Sequence, residues 1–188
     1  MDAYLEIRLL PDPEFAPTVL MNALFSKLHR ALAAQGGGKI GVSFPDVEAK
    51  KPALGQRLRL HGNQTDLVAL MASNWLVGMR DHTAVTDIAE VPAHAKARVV
   101  RRVHEKSSLE RQRRRKVARK GVSAEQAREL LPDSVVIKPL KLPYVMVSSQ
   151  STGQKFRLFV EHLAVQDQAV AGIFSAYGLS PTATVPWF

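Results

Sequence analysis

The chain has 188 residues, an apolar fraction of 46%, a formal net charge of +9 and no cysteine. Disulfides, thiolate metal sites and cysteine nucleophiles are thereby excluded, and the length suits one large or two small domains. No apolar run approaches the roughly 20 residues that cross a bilayer. The opening Met1-Asp2-Ala3-Tyr4-Leu5-Glu6 lacks the basic-then-apolar layout of a signal peptide, so a cytoplasmic protein without membrane contact is expected.

Ala3 to Leu10 reads as a first strand, ended by Pro11, Pro13 and Pro17. From Thr18 to Ala34 apolar residues recur at helical spacing, at Leu20, Met21, Leu24, Phe25, Leu28, Ala31 and Leu32, and Gly36-Gly37-Gly38 stops the helix. Lys39 to Phe44 and Gln56 to His61 read as second and third strands. Thr65 is placed to cap a helix running to about Leu76, and a fourth strand follows over Thr83 to Val91. Strand, helix, strand, strand, helix, strand is the order of the split βαβ, or ferredoxin-like, plan. That plan hosts many RNA-binding modules and much else, so it does not by itself give a function.

After Pro92 the charge becomes local. Twelve of the 26 basic residues lie between Lys96 and Lys120 against only Glu105 and Glu110, leaving 14 basic and 15 acidic residues elsewhere. A run this dense repels itself until a polyanion neutralises it, and phosphate backbones do so with release of counterions. Arg98 to Val103 is basic and β-branched. Ser107 and Glu110 form a capping-box signature for a helix over 107–120 that Gly121 closes. Its apolar residues are only Leu109, Val117 and Ala118, too few for a protein core to hold it, so nucleic acid is the expected burial partner. Ser123 with Gln126 repeats the capping pattern before a short helix that ends ahead of Pro132. Strands are expected over Tyr144 to Ser148, Phe156 to His162 and Val170 to Ser175.

No P-loop, dinucleotide fingerprint, HExxH motif or dense acidic cluster is present. Of the six histidines, His29 stands one turn from Phe25 at the edge of the first helix's apolar stripe. An imidazole at a core boundary can have one nitrogen fixed and the other open, which suits proton transfer. The polar loop from Ser148 to Gln154 offers hydroxyls and amides able to orient a ribose or phosphate, and is equally a plain hairpin turn. The residues alone thus reach a two-domain RNA- or DNA-binding protein with a candidate general base.

The stretches YLEIRLLPDPEF at 4–15, LMNALFSKLH at 20–29, IGVSFPD at 40–46, SSLERQRRRKVARK at 107–120, SQSTGQKFRLF at 149–159 and the ending YGLS…VPWF at 177–188 make the chain recognisable. It resembles the repeat-cleaving endoribonucleases of type I-F CRISPR systems. The resemblance implies an α+β protein: an N-terminal ferredoxin-like (RRM-like) domain over 1–95 carrying a catalytic histidine, and a smaller α+β RNA-binding domain over 96–188 whose arginine-rich helix lies in the major groove of an RNA hairpin. Residue by residue, His29 matches the family's general base and Ser149 its ribose-holding serine, with Ser151 in the same loop. Tyr177 is similar to a tyrosine that orients the histidine, Phe156 to an aromatic stacked on the terminal base pair, and Arg102 to an arginine reading a guanine near the stem base. Two positions depart from the pattern. His104 stands where glutamine is common and offers one contact, not two, to a base edge. Ala118 replaces a helix arginine, so the phosphate clamp falls to Arg111, Arg114, Arg115 and Arg119, with Lys120 beside them.

The resemblance implies cleavage of CRISPR precursor transcripts at the 3′ base of the repeat hairpin, without metal or cofactor. The mature guide RNA would stay bound, and through it the protein would join the other subunits of a surveillance complex. A non-catalytic structured-RNA-binding protein shares the same basic helix and is the alternative; a DNA-binding regulator is a further one.

Overall fold

The protein is described from a computed structural model covering residues 1–47, 52–105, 109–133, 140–148 and 153–188. It divides into two compact units, Met1–Val103 with Leu142–Phe188, and His104–Lys141. The fold is α+β, as expected. No helix among the described residues is long and apolar enough to cross a membrane.

In the larger unit, β1 (Ala3–Leu9) alternates buried Ala3, Leu5, Ile7 and Leu9 with outward Tyr4, Glu6 and Arg8. It pairs antiparallel with β3 (Arg57–Gly62), which pairs with β2 (Gly41–Ser43). On the other edge of β1 lie β4 (Thr83–Val85) and β5 (Ala89–Glu90), giving the order β2-β3-β1-β4. The single strand expected over 83–91 is therefore two. Thr86 interrupts it, its hydroxyl accepting the Glu6 N–H at 3.0 Å while its own N–H donates to the Glu6 carbonyl.

Helix α1 (Pro17–Ala34) starts on a proline, whose missing N–H is not needed there. It buries Leu20, Met21, Leu24, Phe25, Leu28 and Leu32, each worth about 1.5–3 kcal/mol on transfer from water. Helix α2 (Gln64–Ala72) is capped by Asn63, whose side chain accepts the Asp66 N–H at 2.7 Å, and not by the expected Thr65. The amide at the true end of β3 captures the helix first.

The second sheet of this unit joins β6 (Lys96–Val103), β7 (Tyr144–Ser148), β8 (Lys155–Gln166) and β9 (Thr184–Trp187) in the order β7-β8-β6-β9, all antiparallel. Val170–Ser175 was expected as a strand and is not one: Val170 exchanges hydrogen bonds with Thr184 and only Phe174 makes a bridge, to Gly38. The strand is β9 instead, whose Pro186 is tolerated because β9 is an edge. The apolar face of this sheet, with Val100, Val145, Val147, Leu158 and Val160, joins one core with α1 and the first sheet.

The smaller unit holds α3 (Leu109–Lys120) and α4 (Ala124–Leu130). Gly121, at φ +64°, ends α3, and Ser123 and Gln126 close a full capping box on α4. Ser107, expected to cap α3, lies outside the described residues. α3 is not without a protein partner. Arg113, 7% exposed, donates to the Leu131 carbonyl at 2.6 and 2.9 Å, to Asp133 at 2.6 Å and to Glu110 at 3.0 Å. One arginine thus fastens α3 to the end of α4, where Ala127 is also buried.

Candidate active site and nucleic-acid interface

His29 follows Phe25 by one turn of α1, so the two rings share a face: Phe25 inside the core, His29 half-buried at its rim. The His29 Nδ1 lies 2.9 Å from the carbonyl oxygen of Ala176. A carbonyl only accepts, so Nδ1 carries the proton and the lone pair of the neutral ring sits on Nε2. Tyr177 stacks on the imidazole with centroids 4.0 Å apart and planes 12° from parallel. The Phe25 ring is parallel to Tyr177 within 2° at 6.5 Å. Tilt and rotation of the histidine are both restrained.

What delivers Ala176 and Tyr177 is a tight turn. Gly178 N–H donates to the Ser175 carbonyl at 2.8 Å, and Ser175 N–H and Oγ both donate to the Leu179 carbonyl at 2.9 Å. Gly178 adopts φ +69°, and a Cβ there would lie 2.2 Å from Val42 Cγ2, while its carbonyl accepts the Val42 N–H at 2.8 Å. Only glycine allows the turn to press against β2 in this way.

A second aromatic layer adjoins the first. In the β6–β8 register Arg102 faces Val160, and strand alternation places Phe156 on that same sheet face. The Arg102 guanidinium carbon is 5.3 Å from the Phe156 ring centroid and 5.3 Å from that of Tyr177. Its Nε is buried with no hydrogen-bond partner. Edge strand β7 is tied to α1 by Asn22, whose side chain accepts the Met146 N–H at 2.8 Å. β7 thus runs beside the helix of His29.

The structure therefore brings together four of the expected site residues, His29, Tyr177, Arg102 and Phe156. Ser149 and Ser151 lie outside the described residues. His104, Arg111, Arg114, Arg115, Arg119 and Lys120 belong to the smaller unit and are exposed. The Ala176 carbonyl and the Phe25 ring were missed by sequence reasoning: a backbone acceptor from 147 residues away carries no local signal. The other histidines have different surroundings. His61 is fully buried with Nε2 2.8 Å from Ser43 Oγ, and burial, then the Arg59 charge, lowers its pKa to about 3. Burial, then Arg98, lowers that of His162 to about 4. His82 meets Asp12 at 2.8 Å, and His94 is exposed. Among the described residues no three His, Asp or Glu side chains gather as a metal-holding group.

Residues 4–188 match the family described as CRISPR-associated protein (Cas_Csy4). A protein of Pseudomonas aeruginosa (strain UCBPP-PA14), named CRISPR-associated endonuclease Cas6/Csy4, is 53% identical over 188 residues, covering 100% of both chains. One of the same name from Escherichia coli (strain UTI89 / UPEC) is 48% identical, again over 100% of both.

Proposed function

Because the chain belongs to the CRISPR-associated Cas_Csy4 family, we propose that it is a metal-independent endoribonuclease that cuts CRISPR precursor RNA at the 3′ base of the repeat hairpin. The observation that carries the reading is the contact of His29 Nδ1 with the Ala176 carbonyl, which leaves Nε2 as the ring's open base. Nε2 takes the proton of the ribose 2′-OH upstream of the cut. The 2′ oxygen forms a bond to the adjacent phosphorus as the bond from phosphorus to the 5′ oxygen breaks, and that oxygen leaves with a proton. The products are a 2′,3′-cyclic phosphate and a 5′-OH. The nucleophile belongs to the RNA, so the protein supplies position and a base. Tyr177 holds the imidazole plane, and Ser149 with Ser151 holds the ribose.

The remaining residues bind. Phe156 stacks on the terminal base pair, an interaction worth about 1–3 kcal/mol, and Arg102 reads a guanine edge with His104 two residues on. A-form RNA has a narrow major groove that side chains read poorly, so Arg111, Arg114, Arg115, Arg119 and Lys120 chiefly contact phosphates. In this reading residues 1–95 form a ferredoxin-like catalytic domain, supported by the strand order β2-β3-β1-β4, and 96–188 form the RNA-binding domain. The protein acts in the cytoplasm, keeps its product and reaches the other subunits of a type I-F surveillance complex through the guide RNA.

Incubation with the repeat hairpin of the host's own CRISPR array in EDTA, followed by end-group analysis, tests the proposal. Cyclic phosphate and 5′-OH ends are expected. Tight binding without cleavage would leave a non-catalytic RNA-binding protein, and a requirement for divalent metal would remove the 2′-OH mechanism.

A further inference from the structure

We propose that Arg102 is a positioning residue for His29, acting through Tyr177, so that reading of the stem base is felt in the rate of cleavage as well as in affinity. The inference rests on the endoribonuclease reading above. A guanidinium has two separate binding surfaces. Its flat faces meet aromatic rings, and its N–H groups point outward in its plane. In this protein the rings are Phe156 and Tyr177, both 5.3 Å from the guanidinium carbon. Tyr177 in turn stacks on His29 at 4.0 Å and 12°. The buried Nε has no hydrogen-bond partner, and the guanidinium rests against the two rings.

The in-plane donors therefore remain the means of reading guanine O6 and N7 while a face stays against Tyr177. A guanine that fixes the guanidinium fixes the ring beside it, and that ring sets the plane of the imidazole. A wrong base leaves Arg102 unanchored, and the stack on His29 loosens in a bound complex. Small misplacement of reacting groups is costly, about 100-fold for 1 Å.

The test is single-turnover cleavage at saturating protein, read beside hairpin affinity, for wild type, Arg102→Ala, Tyr177→Leu and the double variant. Arg102→Ala is expected to slow saturated cleavage by about tenfold or more. That factor should nearly vanish in the Tyr177→Leu background, while the affinity loss is the same in both. Tyr177→Phe keeps the ring and should keep the coupling. With unaltered protein, a hairpin carrying a swapped pair at the stem base should reproduce the slow saturated rate, an arm free of folding concerns. Rate losses that simply multiply, or an Arg102→Ala change confined to affinity, overturn the proposal. A second readout does not need cleavage: the imidazole NMR resonances of His29 in RNA-free protein should move on Arg102→Ala when Tyr177 is present and not in Tyr177→Leu. Resonances that never move refute the link. Resonances that move in a protein that cuts no hairpin uphold the link and refute the catalytic reading.

Discussion

Gly178 and Val42 are in such close approach that a single added methyl on the glycine would sit 2.2 Å from Val42 Cγ2. The same glycine ends the turn that presents the Ala176 carbonyl and the Tyr177 ring to His29. The fold and the candidate site thus share one backbone constraint. Gly178→Ala must relieve both a steric overlap and a φ of +69°, and strain of the latter kind alone costs about 1–3 kcal/mol. The expected outcome is a lowered thermal midpoint together with a cleavage loss larger than any affinity loss. Equal cleavage rates at saturating protein for variant and wild type would separate the turn from the site.

The arginines of α3 divide by environment. Arg115 and Arg119 are exposed, whereas Arg113 already binds Leu131, Asp133 and Glu110. Replacing Arg115 or Arg119 with alanine is expected to weaken binding to every hairpin and to make the slope of log affinity against log salt shallower by about 0.7–0.9 per lost phosphate contact. Arg113→Ala should instead loosen α3 from α4, seen as faster amide exchange or proteolysis within 104–141. An Arg113→Ala protein with native protection and a shallower salt slope would mean that this side chain leaves its intramolecular partners for phosphate.

Much of the fold was legible locally. The 3.6-residue spacing from Leu20 to Leu32 gave α1, the Ser123–Gln126 pair gave the start of α4, and β7 and β8 followed from their β-branched and aromatic runs. What failed depended on distant partners. Val170–Ser175 has strand composition, but Thr184 takes the Val170 hydrogen bonds, and β9 was hidden by its own proline. His29 was legible as a histidine at a stripe's edge. Tyr177 and Arg102 came only from family resemblance, since ring stacking between residues 102, 156 and 177 has no sequence period. The intramolecular role of Arg113 was not legible either, because charge patterning cannot see a carbonyl 18 residues away.

Two histidines off the site should govern acid stability. His162 has neither ring nitrogen hydrogen-bonded and lies against Phe44 and Trp187; its pKa is lowered from 6.5 to about 4, and that of buried His61 to about 3. In both, the folded pKa is below the unfolded one, so the unfolded chain binds more protons at acid pH. Stability is then full above about pH 6.5 and falls as pH drops from there toward 4. For His162 the loss is at most roughly 3 kcal/mol, at about 1.4 kcal/mol per pKa unit. Thermal midpoints recorded from pH 7.5 to 4.5 should decline, and His162→Phe should flatten that decline. An unchanged slope in His162→Phe would show that this histidine is not protonated on unfolding in that range.

The decisive prediction concerns the roles of His29 and the RNA's own hydroxyl. His29→Ala should abolish cleavage while hairpin affinity stays nearly intact, because His29 is on α1 and the exposed arginines proposed to supply binding are on α3. Ser149→Ala should slow cleavage without abolishing it, since the base remains but the ribose is less well aligned for in-line attack. A hairpin with a single 2′-deoxy ribose immediately upstream of the cut should bind as well as the all-ribose form and remain whole, because the nucleophile itself is missing. The pair of variants separates base from positioning: combined, His29→Ala should mask Ser149→Ala, as no proton transfer is left to be misaligned. Cleavage of the deoxy hairpin would require a nucleophile other than the 2′ oxygen. Full activity in His29→Ala would mean that the Ala176 carbonyl and the Tyr177 ring hold this imidazole for a reason other than catalysis.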